Sequence, residues 1–458
     1  MKQNFTTLLL AMLLLNACSK EAGPELIDDN GLLTDAGLIT EEDPNAPDEN
    51  LSWAQWGINN SDPIRSLTSE DYRDLMFLND YLQGKRIVQL GESGHGVKEF
   101  NQVKVRMIKY MHEVLGYNVL AFESGLYECY KAETRTIGTP TIQARTIMAQ
   151  TIFGVWGTEE VAELFEYILA TQSTSSPLIL TGFDVQVSSF QGITDRSTFM
   201  ENVIRVFDAD YAREVRNFDT DFIAQVTSNP NFSSVLQQRA DEYKAHYQAL
   251  AAYIEANEQA LIATYIGDDN DIKVVKQIAR YVPYNIDQLL FRGQENTRGS
   301  IESRDRGMAE NLSFVANELY PNEKIMVWAH NFHIRHMNTQ VQGSDGGMRV
   351  MGEWLHPEFG DELYTVGIYM YRGQAADNQR NVYDVLPATS GSLESIFYRM
   401  RRQYNFLDIS SQNPQDGNEW LYIRTPVKSW GVRALEMNLS ENYDAILFID
   451  TVSPPDYF

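Results

Sequence analysis

An α/β fold, with a mostly parallel central sheet flanked by helices and carrying a helical insertion, is predicted by three features of this sequence. Several apolar runs of strand length each end in an ionisable residue, segments of helical period stand between them, and one Gly-rich turn joins a run to a helix. Runs that are apolar at every position suit strands buried on both faces, as in parallel sheets. The carboxyl ends of such strands lie along one edge, where open α/β sheets bind ligands.

The organising stretch is Gly91-Glu92-Ser93-Gly94-His95-Gly96. It follows the run at 85–90 and precedes a helix predicted over 98–115, in which Val103, Met107, Tyr110, Met111 and Val114 recur on one face. Three glycines in six residues are expected to allow positive φ and a close approach to a ligand, while Glu92 and His95 supply a carboxylate and an imidazole. Upstream, residues 71–81 read as a helix. Downstream, the run at 119–122 ends in Glu123, the run at 178–183 in Asp184-Val185-Gln186, and the run at 324–329 in His330-Asn331-Phe332-His333. In a parallel sheet these endings are expected to bring Glu92, His95, Glu123, Asp184, His330 and His333 to one edge.

Between the third and fourth runs, from about 190 to 300, helical periodicity dominates; Leu236, Tyr243, Tyr247, Leu250, Tyr253 and Ile254 mark one such face. This region is expected to form a helical cap over the sheet edge, with Arg304 and Arg306 at its close turned towards the same cleft. The segments at 348–354 and 363–369 continue the α/β alternation, and a last apolar strand is expected at 445–449.

The N-terminus has a different character. Residues 8–15 form an apolar core too short to span a bilayer as a helix, and Leu15-Asn16-Ala17-Cys18 resembles a bacterial lipobox. Residues 1–17 therefore read as a lipoprotein signal peptide, with Cys18 the lipidated residue of an exported protein of the bacterial outer membrane. Residues 18–50, acidic and rich in Gly and Pro, read as a flexible tether ahead of a single domain over 51–458. Apart from Cys18 the only cysteine is Cys129, so no intramolecular disulfide is available to the mature chain. A formal charge of −26 excludes nucleic acid and anionic lipid headgroups as partners, which leaves the N-terminal lipid as the membrane contact.

Taken together, the Gly91–Gly96 motif with Glu99, Phe122-Glu123, Phe153 to Trp156 with Glu160, Gly182 to Gln186, Arg304-Asp305 to Asn311, and Val327 to His333 resemble the erythromycin esterase family in order and spacing. The resemblance implies an α/β core with helical additions and hydrolysis of an ester or lactone, macrolide-like in the best-known members, without a covalent acyl-enzyme. It implies His95 as general base, Glu92 and Glu123 as carboxylates of the site, and Arg304, His330 and His333 as basic residues lining it. Asp184, Gln186, Trp156 and Arg306 are expected to contact substrate. Family members usually carry Thr or Ser immediately before the motif's histidine, where this chain has Gly94.

The chemistry is consistent from below. An imidazole with an ordinary pKa of roughly 6.5 accepts a proton from water near neutrality, and a neighbouring carboxylate fixes its tautomer. A guanidinium and a second imidazole donate to the oxyanion that develops on the carbonyl. A serine nucleophile elbow is absent, because neither Ser93 nor Ser124 stands in Gly-x-Ser-x-Gly. No cofactor is expected, but two alternatives stand. His95, His330 and His333 with Glu92 or Glu123 satisfy zinc's ligand preferences, giving a metal-dependent hydrolase or peptidase. The same histidines give a non-enzymatic binder of haem or another small ligand. His112, His246 and His356 read as structural or surface residues.

Overall fold

Apolar runs bounded by glycine and ionisable residues fold here as strands buried on both faces, and the chain groups around them as two compact units. The structure is a computed structural model that describes residues 51–136, 144–228 and 232–458. The signal peptide, Cys18 and the tether expected over 1–50 lie outside the described residues. No helix among the described residues is long and apolar enough to cross a membrane.

In chain order the strands are β1 (Asp62–Pro63), β2 (Ile87–Leu90), β3 (Tyr117–Gly125), β4 (Ile179–Asp184), β5 (Lys324–Trp328), β6 (Gln342–Gly343), β7 (Leu363–Ala376), β8 (Val382–Asp384), β9 (Tyr404–Asp408), β10 (Arg424–Ser429), β11 (Arg433–Asn438) and β12 (Ala445–Val452). The helices are α1 (Leu51–Asn60), α2 (Leu78–Tyr81), α3 (Lys98–Leu115), α4 (Leu126–Thr136), α5 (Ala144–Thr151), α6 (Glu159–Thr171), α7 (Phe190–Ile204), α8 (Ala209–Ser228), α9 (Phe232–Thr264), α10 (Asp269–Gly293), α11 (Thr297–Phe314), α12 (Asn331–Ile334), α13 (Met351–Phe359) and α14 (Leu393–Arg399).

Among the described residues, one unit comprises 51–120, Val155–Leu178 and Lys324–Phe458. Its sheet runs β1-β9-β12-β7-β2-β5 and then the first half of β3. β2 is parallel to both β5 and β7, and β12 is parallel to β7; β9 and β1 add an antiparallel margin. β10, β11 and β6 form a separate antiparallel sheet. Helix α3 buries Val103, Met107, Tyr110 and Met111 as its spacing requires, but Val114, at the last turn, is half exposed. The helix expected over 71–81 is instead a 3-10 turn (Tyr72–Leu75) followed by α2. Buried Arg106 donates to the carbonyls of Ser66, Ser69 and Asp71 and so anchors the chain that leads into this turn. Residues 453–458 fasten this unit. Lys98 N donates to Ser453 O at 2.9 Å, Glu99 accepts from both the amide and the hydroxyl of Ser453, and Tyr457 bridges to Thr158 ahead of α6.

The other unit comprises Ala121–Gly154 and Ile179–Glu323. The second half of β3 neighbours β4 in it, and α7 to α11 account for most of the described residues from 190 to 314. The Tyr-rich face of α9 is core. Leu236, Tyr243, Tyr247, Leu250 and Ile254 are buried, and the Tyr243 and Tyr247 hydroxyls donate to Asp221 (2.8 Å) and Asp219 (2.7 Å). Those bonds satisfy the only polar atom each buried ring carries.

Candidate active site

The site in the first unit begins where β2 ends. Gly91 N continues the ladder by donating to Val366 O at 2.9 Å, and the turn then passes under Asn331, whose side chain exchanges hydrogen bonds with the Ile368 backbone. None of Gly91, Gly94 and Gly96 has positive φ, contrary to the expectation for the motif. Crowding is what selects glycine. A Cβ on Gly91 would lie 2.0 Å from Asn331 Oδ1, and one on Gly96 would lie 2.1 Å from the Ala376 carbonyl oxygen. The close approach is made by the protein's own neighbours.

Glu92 is fully buried, and both of its oxygens are engaged. Oε2 accepts from Lys104 Nζ at 2.6 Å; Oε1 accepts from Trp156 Nε1 at 3.0 Å and meets His95 Nδ1 at 2.6 Å. Lys104, itself fully buried on α3, lies 3.9 Å above the Trp328 ring, an aromatic face that partly replaces the water it has lost. Burial pushes the Glu92 carboxyl up, but the ammonium of Lys104 and the bond to His95 pull harder and hold it below the usual carboxylate range. An ionised carboxylate only accepts, so His95 carries a proton on Nδ1, and the neutral ring has its lone pair on Nε2.

His330, at the end of β5, has the opposite polarity. Its Nδ1 accepts from Phe332 N at 3.1 Å as the cap of α12, which puts the proton of the neutral ring on Nε2. The His95 and His330 ring centroids are 5.0 Å apart at 61°. His333 is buried with its ring 6.5 Å from His330. Trp156 packs edge-on to His95 at 4.9 Å, and Trp430, from the turn between β10 and β11, lies 5.3 Å from His95 and 5.4 Å from His330. Trp156, expected to touch substrate, is thus a support for Glu92. Glu99 is spent on Ser453. His336 faces away from this group, stacked on His356 at 4.0 Å and bonded to Thr365, so the three histidines at 330, 333 and 336 do not converge. Among the described residues no three His, Cys, Asp or Glu side chains are grouped to hold a metal ion.

In the second unit, the endings of β3 and β4 meet on one guanidinium. Arg304 Nη2 donates to Asp184 Oδ2 at 2.6 Å and to Glu123 Oε1 at 3.2 Å, all three residues being buried. Asp184 Oδ1 also accepts from Gln186 N at 3.0 Å. Arg306 pairs with Glu310 at 3.0 Å on the more exposed side of α11. Residues two apart on a helix point in different directions, so the two arginines do not share the cleft the sequence suggested. Beside this cluster stands a group the sequence reading passed over. Glu128, buried at the start of α4, accepts from Ser188 N at 2.9 Å, and burial pushes its carboxyl up to about 7.

Fold and site define an α/β protein with paired ionisable side chains at the carboxyl ends of parallel strands. A sequence model of the erythromycin esterase family matches residues 112–452, a stretch that begins after Glu92, His95 and Lys104 and contains Glu123, Asp184, Arg304 and His330. A Bacillus subtilis (strain 168) protein named "Putative hydrolase YbfO" is 32% identical over 429 residues, covering 89% of this chain and 93% of that one. An Escherichia coli protein named "Erythromycin esterase type II" is 22% identical over 324 residues, 67% of this chain and 74% of its own. The chain belongs to the erythromycin esterase family. Solved structures share its fold: a Bacillus cereus protein with TM-score 0.77 at 20% identity, covering 90% of this chain and all of that one, and a mutant of the erythromycin esterase EreC in its open conformation with TM-score 0.65 at 17% identity, covering 84% and 95%.

Proposed function

We propose that this protein hydrolyses a small-molecule carboxylic ester or lactone by water attack assisted by His95, with no covalent intermediate. The observation that carries this reading is the pair of imidazoles of opposite polarity, His95 with its lone pair on Nε2 and His330 with its proton on Nε2, centred 5.0 Å apart. In this scheme His95 Nε2 takes a proton from water as the water oxygen bonds to the carbonyl carbon, and Glu92 stabilises the imidazolium that forms. His330 donates to the developing oxyanion, and the proton on His95 then passes to the leaving alkoxide. Lys104 and Trp156 keep Glu92 ionised and in place. The family resemblance adds His333 to this group and gives Glu123 and Arg304 their roles within their own unit, and a lipid on Cys18 attaches the exported chain to the membrane.

The test is mass-spectrometric detection of water addition to erythromycin, simpler lactones and aryl esters by the full chain and its His95→Ala variant. We expect turnover of at least one compound, lowered about 10²- to 10⁴-fold in the variant. Undiminished turnover in the variant would sink the mechanism. Loss of wild-type turnover after chelation, restored by zinc, would favour the metal-dependent alternative.

A further inference from the structure

The turn between β10 and β11 holds a backbone anomaly with a clear target. The strands pair as far as Ser429 and Arg433, and the turn that joins them places Trp430 at φ +57° and Gly431 at φ +68°. Glycine adopts the left-handed region freely, whereas a side chain as large as Trp does so at a cost of about 1–2 kcal/mol. The surroundings over-determine that conformation. Trp430 N donates to Ser93 O at 2.6 Å, Tyr383 Oη donates to Trp430 O at 2.9 Å, and Leu386 N donates to Gly431 O at 3.0 Å. At the base of the hairpin, Asp345 accepts from Ser429 Oγ at 2.6 Å and from Arg433 Nη1 at 2.8 Å.

The indole so placed stacks on His330 at 28° and stands perpendicular to His95 at 88°. It also crowds Gly94. A Cβ at position 94 would lie 3.2 Å from Trp430 Cε3, so a side chain there presses on the indole and moves it by a few tenths of an ångström. Burial alone does not require this arrangement, because Val427, Leu435 and Met437 already give the small sheet a buried apolar face. Strain held by several independent bonds and aimed at two imidazoles is the pattern of a functional constraint.

We propose that Trp430 is a positioning residue that holds the His95 and His330 rings in the orientations in which their bonds to Glu92 and Phe332 N select opposite tautomers, and that position 94 acts on the site only through it. The roles of the two imidazoles rest on the hydrolase reading; the positioning itself does not. The test is therefore ¹⁵N-histidine NMR of the full chain at a pH where imidazoles are neutral. We expect His95 as the Nδ1–H form and His330 as the Nε2–H form in the wild type, and both retained in Trp430→Phe. In Trp430→Leu and, to a lesser degree, Gly94→Ala, both signals move to averaged tautomers. The Gly94→Ala/Trp430→Leu double variant should be no worse than Trp430→Leu alone, since both changes act on one contact. With any substrate found, Trp430→Leu lowers kcat about tenfold or more while KM changes little. Folded Trp430→Leu and Gly94→Ala proteins that both keep the wild-type tautomers would overturn the proposal, whether or not a substrate is known. If Trp430→Leu does not fold, Gly94→Ala, which keeps the indole, decides alone.

Discussion

Glu92 and Glu128 are the same residue type, each sealed from water just past the end of a strand, one in each unit. Glu92 has Lys104 at 2.6 Å, a histidine and an indole N–H on its oxygens, and is held ionised. Glu128 lies between Gly125 and Gly192 with backbone amides as its donors, and is pushed up to about 7. Burial is the largest influence on both and acts in the same direction. Whether a desolvated carboxyl is charged is decided by a cation within contact, and the charged one, which can only accept, fixes which imidazole nitrogen faces it with a proton.

Three substitutions act on that contrast, in decreasing order of effect. Lys104→Met leaves Glu92 in the situation of Glu128, and we expect a loss of about 3–5 kcal/mol in denaturant unfolding near neutral pH. Because the wild-type Glu92 value is depressed, its stabilisation is present above the ordinary carboxylate range and lost as pH falls through the folded value. The deficit of the variant should accordingly shrink on acidification, and an equal deficit at every pH would contradict the assignment. Glu128→Gln acts with the opposite sign. A raised value contributes stability that is complete below about 4.5 and lost as pH rises through about 7, so the wild type should weaken between pH 5 and pH 8 by on the order of 3 kcal/mol more than the variant. Unfolding curves at those two pH values check it. Trp156→Phe removes one donor from Glu92 and keeps the ring, for which we expect about 1–2 kcal/mol, read as a modest fall in melting temperature.

Much of this architecture is legible in the sequence, for identifiable reasons. β2, β5 and α3 emerge at their expected places because a short run apolar at every position, or one with a period of 3.6, has few other ways to bury itself. The endings at Glu92, His95 and His330 follow from those strands. Lys104 is passed over because a lysine in an amphipathic helix is ordinarily solvated. Its spacing of four from both Phe100 and Ile108, which are buried, is the signal that puts it on the inner face. Trp430 is harder, since its role depends on a left-handed backbone angle that propensity assigns to Gly or Asn. Only the Trp-Gly pair between two alternating strands hints at a hairpin there. The motif glycines are foreseen as residues but not in purpose, because crowding by Asn331 and Ala376 comes from chain more than two hundred positions away.

Ribosomal synthesis gives the fastening of residues 453–458 a timetable. Ser453 is translated 354 positions after Glu99, the residue that accepts its amide, which is roughly 20 to 70 s later at elongation rates of about 5–20 residues per second. Through that interval the first turn of α3 has no Ser453 carbonyl to accept from Lys98, and β7 has no β12 beside it. A nascent chain therefore lacks the closure of this unit while most of the molecule already exists.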